Sequence, residues 1–328
     1  MNTFLFNFFN TRFKIKNVTI HLFFLILFLS FIAPIYAQDH SDKAIKKEVK
    51  HQISLRHDND FLAFSDIYYT SGLFLSYNRL LNRGVFKSGK EQISIALVQQ
   101  IYTPSKLNTT NLAEMDRPYA GYMELNLSWS YVNENYSLET DFSIGLTGKG
   151  SRAGAFHRWY HNALSVPKPP TWAYELNNKM HVNLYSSYTR EWQLSPNNFS
   201  VYLAVKSELA IGTKDIYAQP EFIAHFGRRQ AMTSSMAYNR IGSLEKEVFF
   251  SICAGYRFLS HNALLEGHVF GDNSIFLVNP NNQYFYGGFD IKHRDRKNDF
   301  WLGYRFNSAE TKQTKLHKYI ILSYARSF

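Results

Sequence analysis

Residues 121–131, GYMELNLSWSY, sort their side chains onto two opposite faces. Met123, Leu125, Leu127, Trp129 and Tyr131 fall on one face, and Tyr122, Glu124, Asn126, Ser128 and Ser130 on the other. A period of two with one apolar face is a strand exposed differently on its two sides. The following run repeats it, with Leu138, Thr140, Phe142, Ile144 and Leu146 set against Glu139, Asp141, Ser143 and Gly145. Carboxylates in mid-strand fit a sandwich core poorly. They suit the polar interior of a transmembrane barrel whose other face meets lipid.

Working outward from these two runs, alternation predicts twelve strands: 51–60, 67–80, 91–102, 119–132, 136–147, 180–194, 198–212, 217–228, 246–258, 282–293, 298–308 and 316–328. Most reach the roughly 9–11 residues that a tilted strand needs to cross a bilayer. Twelve is even, which returns both ends of a closed barrel to one side. The fold expected is all-β: a transmembrane antiparallel β-barrel over 51–328.

Ahead of it, Arg12, Lys14 and Lys16 precede the apolar run VTIHLFFLILFLSFIAPIYA, residues 18–37. This reads as a signal peptide over 1–37, cleaved before Gln38, with 38–50 a short periplasmic segment. No later run approaches the ~18 apolar residues of a membrane helix. Aromatics make up 17% of the chain, with 28 Phe and 22 Tyr, and mean hydropathy is negative at −0.30. That balance suits strands that alternate between lipid and water. Cys253 is the one cysteine, so no disulfide framework is expected. The net charge of +10, or 10 − 3 = +7 without the three basic residues of the expected signal, suits a phosphate-bearing membrane surface and equally a basic set of periplasmic turns that aids solubility; no nucleic-acid partner is expected. The aromatic Phe328 after the last strand is the kind of C-terminal signal presented to outer-membrane assembly machinery.

With both termini periplasmic, connections after odd-numbered strands face the cell exterior. These include 61–66, 103–118, 148–179 and 259–281, three of which are long, while 81–90, 133–135, 195–197 and 294–297 lie inside and are short or moderate. One inner connection breaks the pattern: 229–245 is long, and implies a misread strand or a periplasmic excursion. Parity counted from Ile53 and Leu55 places Asp60 and Thr70 in the lumen at the outer rim, in the turn RHDNDFLAFSDIYYTSG, residues 56–72. The loop 148–179 brings His157, Arg158, His161, Trp172 and Glu175 to the same end. Ester hydrolysis needs a base for water and positive charge for the oxyanion. Histidine suits the first task, and a hard cation on oxygen ligands the second. The plainer reading of Asn59-Asp60 is an Asx-type reversal. Trp159, Tyr160 and Trp172 read as interface-belt aromatics, and Arg117 as a partner for lumen carboxylates.

Four blocks, HDNDFLAFSDIYYTSGLFLSY (57–77), QQIYTP (99–104), DRPYAGYMELNLSW (116–129) and FHRWYH with PTWAYELNN (156–161 and 170–178), resemble in order and spacing the outer-membrane lipid A 3′-O-deacylase family. The resemblance implies a twelve-stranded enzyme of the outer membrane that removes the 3′ acyloxyacyl chain from lipid A and depends on Ca²⁺. It implies that Asn59 and Asp60 lie at the metal and oxyanion site, that Thr70 positions the ester, and that His157, followed by Arg158, activates water. The expected partners are lipopolysaccharide and outer-membrane lipids. Two positions depart from the family pattern: Ala163 stands where a Glu is expected, and Lys106 is out of register with a functional lysine. Glu175 is a candidate substitute for the missing Glu. The competing reading is a non-catalytic barrel, a channel or surface-binding protein. A phospholipase of the Ser-His-Asn type finds no strand arrangement to support it.

Overall fold

The computed structural model describes residues 49–86, 88–163, 169–195 and 199–328. The segment expected to be a signal peptide, most of the 38–50 segment and the tip of the 195–197 connection lie outside them. Twelve antiparallel strands close into one barrel. They are β1 (His51–Asn59), β2 (Tyr68–Leu80), β3 (Lys90–Thr103), β4 (Ala120–Val132), β5 (Tyr136–Thr147), β6 (Met180–Ser195), β7 (Ser200–Gly212), β8 (Asp215–Arg228), β9 (Glu247–Asn262), β10 (Gln283–Asp295), β11 (Asn298–Asn307) and β12 (His317–Ser327). Each pairs with its sequence neighbours, and β1 pairs with β12 from Gln52↔Ser327 to Asn59↔Ile320. Closure leaves no free sheet edge, which spanning a membrane requires. Two helices follow odd-numbered strands, α1 (Ala153–Ala163) and the short α2 (Ala263–Glu266). Among the described residues no helix is long and apolar enough to cross a membrane.

The two faces separate as alternation predicts. Leu125, Leu127, Phe142, Ile144, Leu184, Leu203, Ile252 and Leu302 are exposed on the outside. Inside, charge is paired: Lys206 meets Glu208 at 2.6 Å and Arg305 meets Asp290 at 2.7 Å. Arg56 lies between the rings of Phe74 and Trp301, 4.5 and 5.0 Å from their centroids. It touches two lumen cavities of ≈ 250 and ≈ 490 Å³. Arg117 is fully buried and pairs with Glu310 at 3.2 Å.

The long inner connection between β8 and β9 is an excursion, and it folds back into the barrel. Arg240 donates to Ser130 Oγ at 2.6 Å and to the carbonyl of Lys90 at 3.0 Å. Gln92 donates to the carbonyl of Asn239 at 3.1 Å and accepts from the amide of Ile241 at 3.3 Å. From the opposite wall Arg294 donates to the carbonyls of Ser234 and Arg240 at 2.7 and 2.6 Å, while gripping Asp299 with two bonds. Glu247 accepts from the amides of Gln230 and Met236. Several polar lumen residues near that end thus pair with the backbone of a plug.

Candidate active site on the outer wall

The acidic hairpin forms because β1 ends at Asn59 and its next residues bind their own backbone. Asn59 Oδ1 accepts from the amide of Leu62 at 3.2 Å. Asp60 opens a one-turn 3₁₀ helix over Phe61–Ala63, which Phe64 ends in the left-handed region at φ 62°. The Asp60 carboxylate accepts from the amide of Ile67 at 2.6 Å, from Ser65 Oγ at 3.2 Å and from Thr70 Oγ1 at 2.9 Å. It is fully buried and anchors the loop. Thr70 also lies 2.8 Å from Asp66 Oδ1. One hydroxyl hydrogen can serve only one of two carboxylates. The second contact is made good when a carboxyl holds a proton. Burial and the neighbouring Asp66 push Asp60 well above the usual carboxylate range. Burial also raises Asp66, against the pull of Thr70 and His161.

Strict alternation puts Thr70 in the lumen, but the structure places it elsewhere. Tyr69 faces the lumen, donating to Asp58 at 3.0 Å and packing on Tyr102 and Tyr319. The register with β3 slips between Tyr69 and Ser71, making Thr70 the extra residue of a bulge. A bulge re-aims side chains next to it. Thr70 and Ser71 both end up on the outward side, where they share a cavity wall with Asn59 and Ile101. The expectation that these groups meet inside the cylinder is thereby corrected. They meet on its outer wall.

Helix α1 covers this patch. Its start rests on the outward face of β3 and β4, where Gln99 Nε2 donates to the carbonyl of Ser151 at 2.9 Å. Gly121 makes the approach possible, because a Cβ there would lie 2.3 Å from Ala153 Cβ and 2.4 Å from Ser151 Oγ. Trp172 packs over Gly154, whose added Cβ would come within 2.9 Å of the indole, and stacks on Tyr119 at 5.0 Å. Tyr119, Ile101, Met115, Ala153 and Trp172 form one apolar cluster under the helix. Trp172 is therefore a buried packing residue rather than a belt aromatic, whereas Trp159 is exposed.

Between helix and wall lies a cavity of ≈ 20 Å³, lined by Asn59, Asp66, Thr70, Ser71, His157 and His161 with Phe61, Ile101, Phe156 and Tyr160. That suffices for about one water. His157 and His161 are one helical turn apart on α1 and both are buried, with ring centroids 4.5 Å apart and planes at 86°. His157 Nδ1 accepts from Trp172 Nε1 at 3.2 Å. His161 Nε2 stands 3.6 Å from Asp66 Oδ2, and its Nδ1 is buried without a hydrogen-bond partner. Burial, with help from His161 and Arg158, holds His157 down to about 3. Burial also lowers His161, opposed by Asp66. Both rings are neutral near pH 7.

Asn59, Thr70 and His157 are thus brought together, while Asp60 stands behind them. Two residues of the cavity, Asp66 and His161, carry no role in the sequence analysis, although His161 is placed there at the same end. The i, i+4 spacing of the two histidines was the available signal. Ala163 is the last residue of α1, and the carboxylate beside its histidines is Asp66 from the facing hairpin. Glu175 is not in the cavity wall; burial raises it to about 7, against Arg158 and Lys149. Lys106 makes an exposed pair with Glu114 at 3.6 Å.

Calcium takes about six to eight oxygen ligands. The oxygens expected to provide them, on Asn59 and Asp60, are committed to loop amides and hydroxyls. Among the His, Cys, Asp and Glu side chains of the described residues, Asp66, His157 and His161 place ligand atoms within 4.8 Å of one another. That set alone, with two imidazoles to one carboxylate, is richer in nitrogen than a hard cation prefers.

A profile of the family described as "Outer membrane protein LpxR" matches residues 22–328. Among solved structures, LpxR from Salmonella typhimurium is similar over 84% of this chain and 100% of its own, with a TM-score of 0.70 at 15% identity. The β domain of the Bordetella autotransporter BrkA covers 86% of this chain and 99% of its own, with a TM-score of 0.45 at 11% identity. No curated protein matches by sequence.

Proposed function

The chain belongs to the LpxR family of outer-membrane proteins, and on that premise we propose that it hydrolyses the 3′-linked acyloxyacyl ester of lipid A or a related outer-leaflet glycolipid. It is a multi-pass β-barrel of the bacterial outer membrane, lipid A deacylase-like in family and fold. One observation carries the finer reading. The buried imidazole and carboxylate groups lie on the outward face of the wall, where a barrel otherwise shows lipid mainly apolar side chains. Ionisable groups gathered in a buried cleft with shifted titration mark a candidate functional site. A lipid whose acyl chains lie along that wall reaches the cleft without leaving the bilayer. A soluble substrate would have no reason to be met there.

The residues present divide the work among themselves. Phe61, Phe156 and Tyr160 give the cleft an apolar lining suited to an acyl chain, and the small cavity admits about one water beside the imidazoles. A neutral histidine takes the proton of that water as it attacks the ester carbonyl, the role the resemblance gives to His157. Asn59 and Thr70 are available to hydrogen-bond the carbonyl oxygen. The plug over 229–246 lends a channel reading no support.

The test is direct. Purified protein in mixed micelles with hexa-acylated lipid A should release an acyloxyacyl chain, seen as that mass loss in the lipid A spectrum. A folded His157→Ala, His161→Ala double variant should leave the spectrum unchanged. If wild-type protein also leaves it unchanged, the reading fails.

A further inference from the structure

On the bilayer side of the cleft, the outward face of β1 carries another imidazole. Asn59 pairs with Ser71 on β2, and Ser71 with Ile101 on β3; all three line the cavity. One row deeper, His57 pairs with Leu73 on β2 and with Leu322 on β12. The row after that is leucine across four strands, Leu55, Leu75, Leu97 and Leu125, all exposed on the outside. His57 therefore stands between the cleft and the hydrocarbon band. Facing lipid, an imidazole needs a polar partner. Gln99, in the same row, is engaged by the carbonyl of Ser151 instead. The partner of His57 is Ser71, whose Oγ lies 3.3 Å from His57 Nε2. The bulge at Thr70 turns Ser71 to the outer wall, so this serine is shared between the cavity and His57.

The pair holds one donor more than it uses. A neutral imidazole carries hydrogen on one nitrogen, and a serine hydroxyl carries one hydrogen. When His57 Nε2 donates, the hydroxyl hydrogen is left over; when Ser71 donates, the hydrogen on Nδ1 is. We propose that the His57–Ser71 pair is a subsite for the second ester of an acyloxyacyl chain, whose carbonyl oxygen accepts that hydrogen. This deepens the hydrolase reading above and rests on it. With the scissile ester beside Asn59 and Thr70, the acyl chain descends along the wall toward the leucine row. The second ester branches from that chain a few bonds below the first. Two residues of β1, from Asn59 to His57, cover about 6.8 Å at ~3.4 Å each, which matches that spacing. A plain acyl chain presents only methylene groups at this depth and leaves the donor unpaired. His57 and Ser71 take no part in bond making; they select the branched chain and hold its first ester in the cleft.

The test offers full-length protein two substrates in mixed micelles. One is hexa-acylated lipid A. The other is its analogue with an ether in place of the second ester of the 3′ chain, which keeps length and branching but loses the carbonyl. Wild type should favour the ester by about 3–10-fold in kcat/KM, the worth of one hydrogen bond. In His57→Leu the ratio should fall to near one, and in Ser71→Ala it should drop. His57→Gln, which keeps a donor, should retain most of it. A variant that only disturbs the cleft slows both substrates alike and leaves the ratio intact, and heat-shifted gel mobility identifies the folded barrels. A wild-type ratio near one overturns the subsite while sparing the hydrolase reading; a pair that holds the ester of a bystander phospholipid would give that result. A His57→Leu variant that keeps the wild-type ratio overturns it equally. Wild-type protein that releases no chain from either substrate removes both.

Discussion

Lowering the pH from about 7 to about 5 should loosen helix α1 from the barrel wall. His157 titrates near 6.5 when free and at about 3 when the helix is docked. The undocked helix binds the extra proton, so docking is fully stable above about 6.5 and weakens as pH falls toward 3. At pH 5 the group is about 1.5 pH units below its free value and still above its docked one. The cost is therefore about 2 kcal/mol at 1.36 kcal/mol per unit, a shift of about thirtyfold in the local opening equilibrium. His161, lowered by the same burial, adds to it in the same direction, while Asp66, raised by burial, opposes both. Hydrogen exchange of the 153–163 amides in micelles, corrected for the intrinsic pH dependence, reads this opening directly. In His157→Gln most of the effect should vanish, because glutamine does not titrate. An opening free energy equal at the two pH values, or a change as large in His157→Gln, would refute the reasoning.

Other perturbations have equally definite outcomes. Gly121→Leu should lift the start of α1 and abolish hydrolysis while strand circular dichroism stays unchanged, since even a Cβ meets Ala153 and Ser151. Asp60→Ala strips an acceptor from Ile67, Ser65 and Thr70. Leaving such donors unpaired costs about 1–3 kcal/mol each, so the 60–67 loop should become protease-sensitive and activity should fall. Arg294→Ala breaks a buried pair and two plug contacts. It should convert a barrel that passes little current in planar bilayers into one with frequent openings. Trp159→Ser, at an exposed site on α1, should slow hydrolysis of vesicle-borne lipid A more than that of micellar substrate, because tryptophan anchors at the membrane interface.

Much of the barrel was legible because its physics is local. A side chain such as Leu125 or Ser128 announces its face by parity alone, and all twelve strands lie within a few residues of the alternating runs. The site was legible in composition but not in place. Asn59, Thr70 and His157 do share one cavity. Alternation, however, cannot foresee that the register slips at Thr70, and this slip carries the cluster from lumen to outer wall. Helix α1 was hidden because it buries only a short face, and a glycine (Gly121) prepares its seat on the wall. The plug was visible only as an over-long connection, since what holds it are carbonyls and amides, which carry no sequence signature. Trp172 misled as an aromatic in a loop. Its burial depends on Gly154 and Tyr119, which lie far from it in sequence.

The location of the chemistry can be tested most directly with a lipid A analogue carrying a photoreactive group on its 3′ acyl chain. Cross-linked to the protein in outer-membrane vesicles and mapped by peptide mass, it should label residues 59–71 and 153–163, which flank the outward cleft. Labelling confined to lumen-facing positions such as Tyr102, Tyr217 or Tyr284 would contradict a site on the outside of the wall.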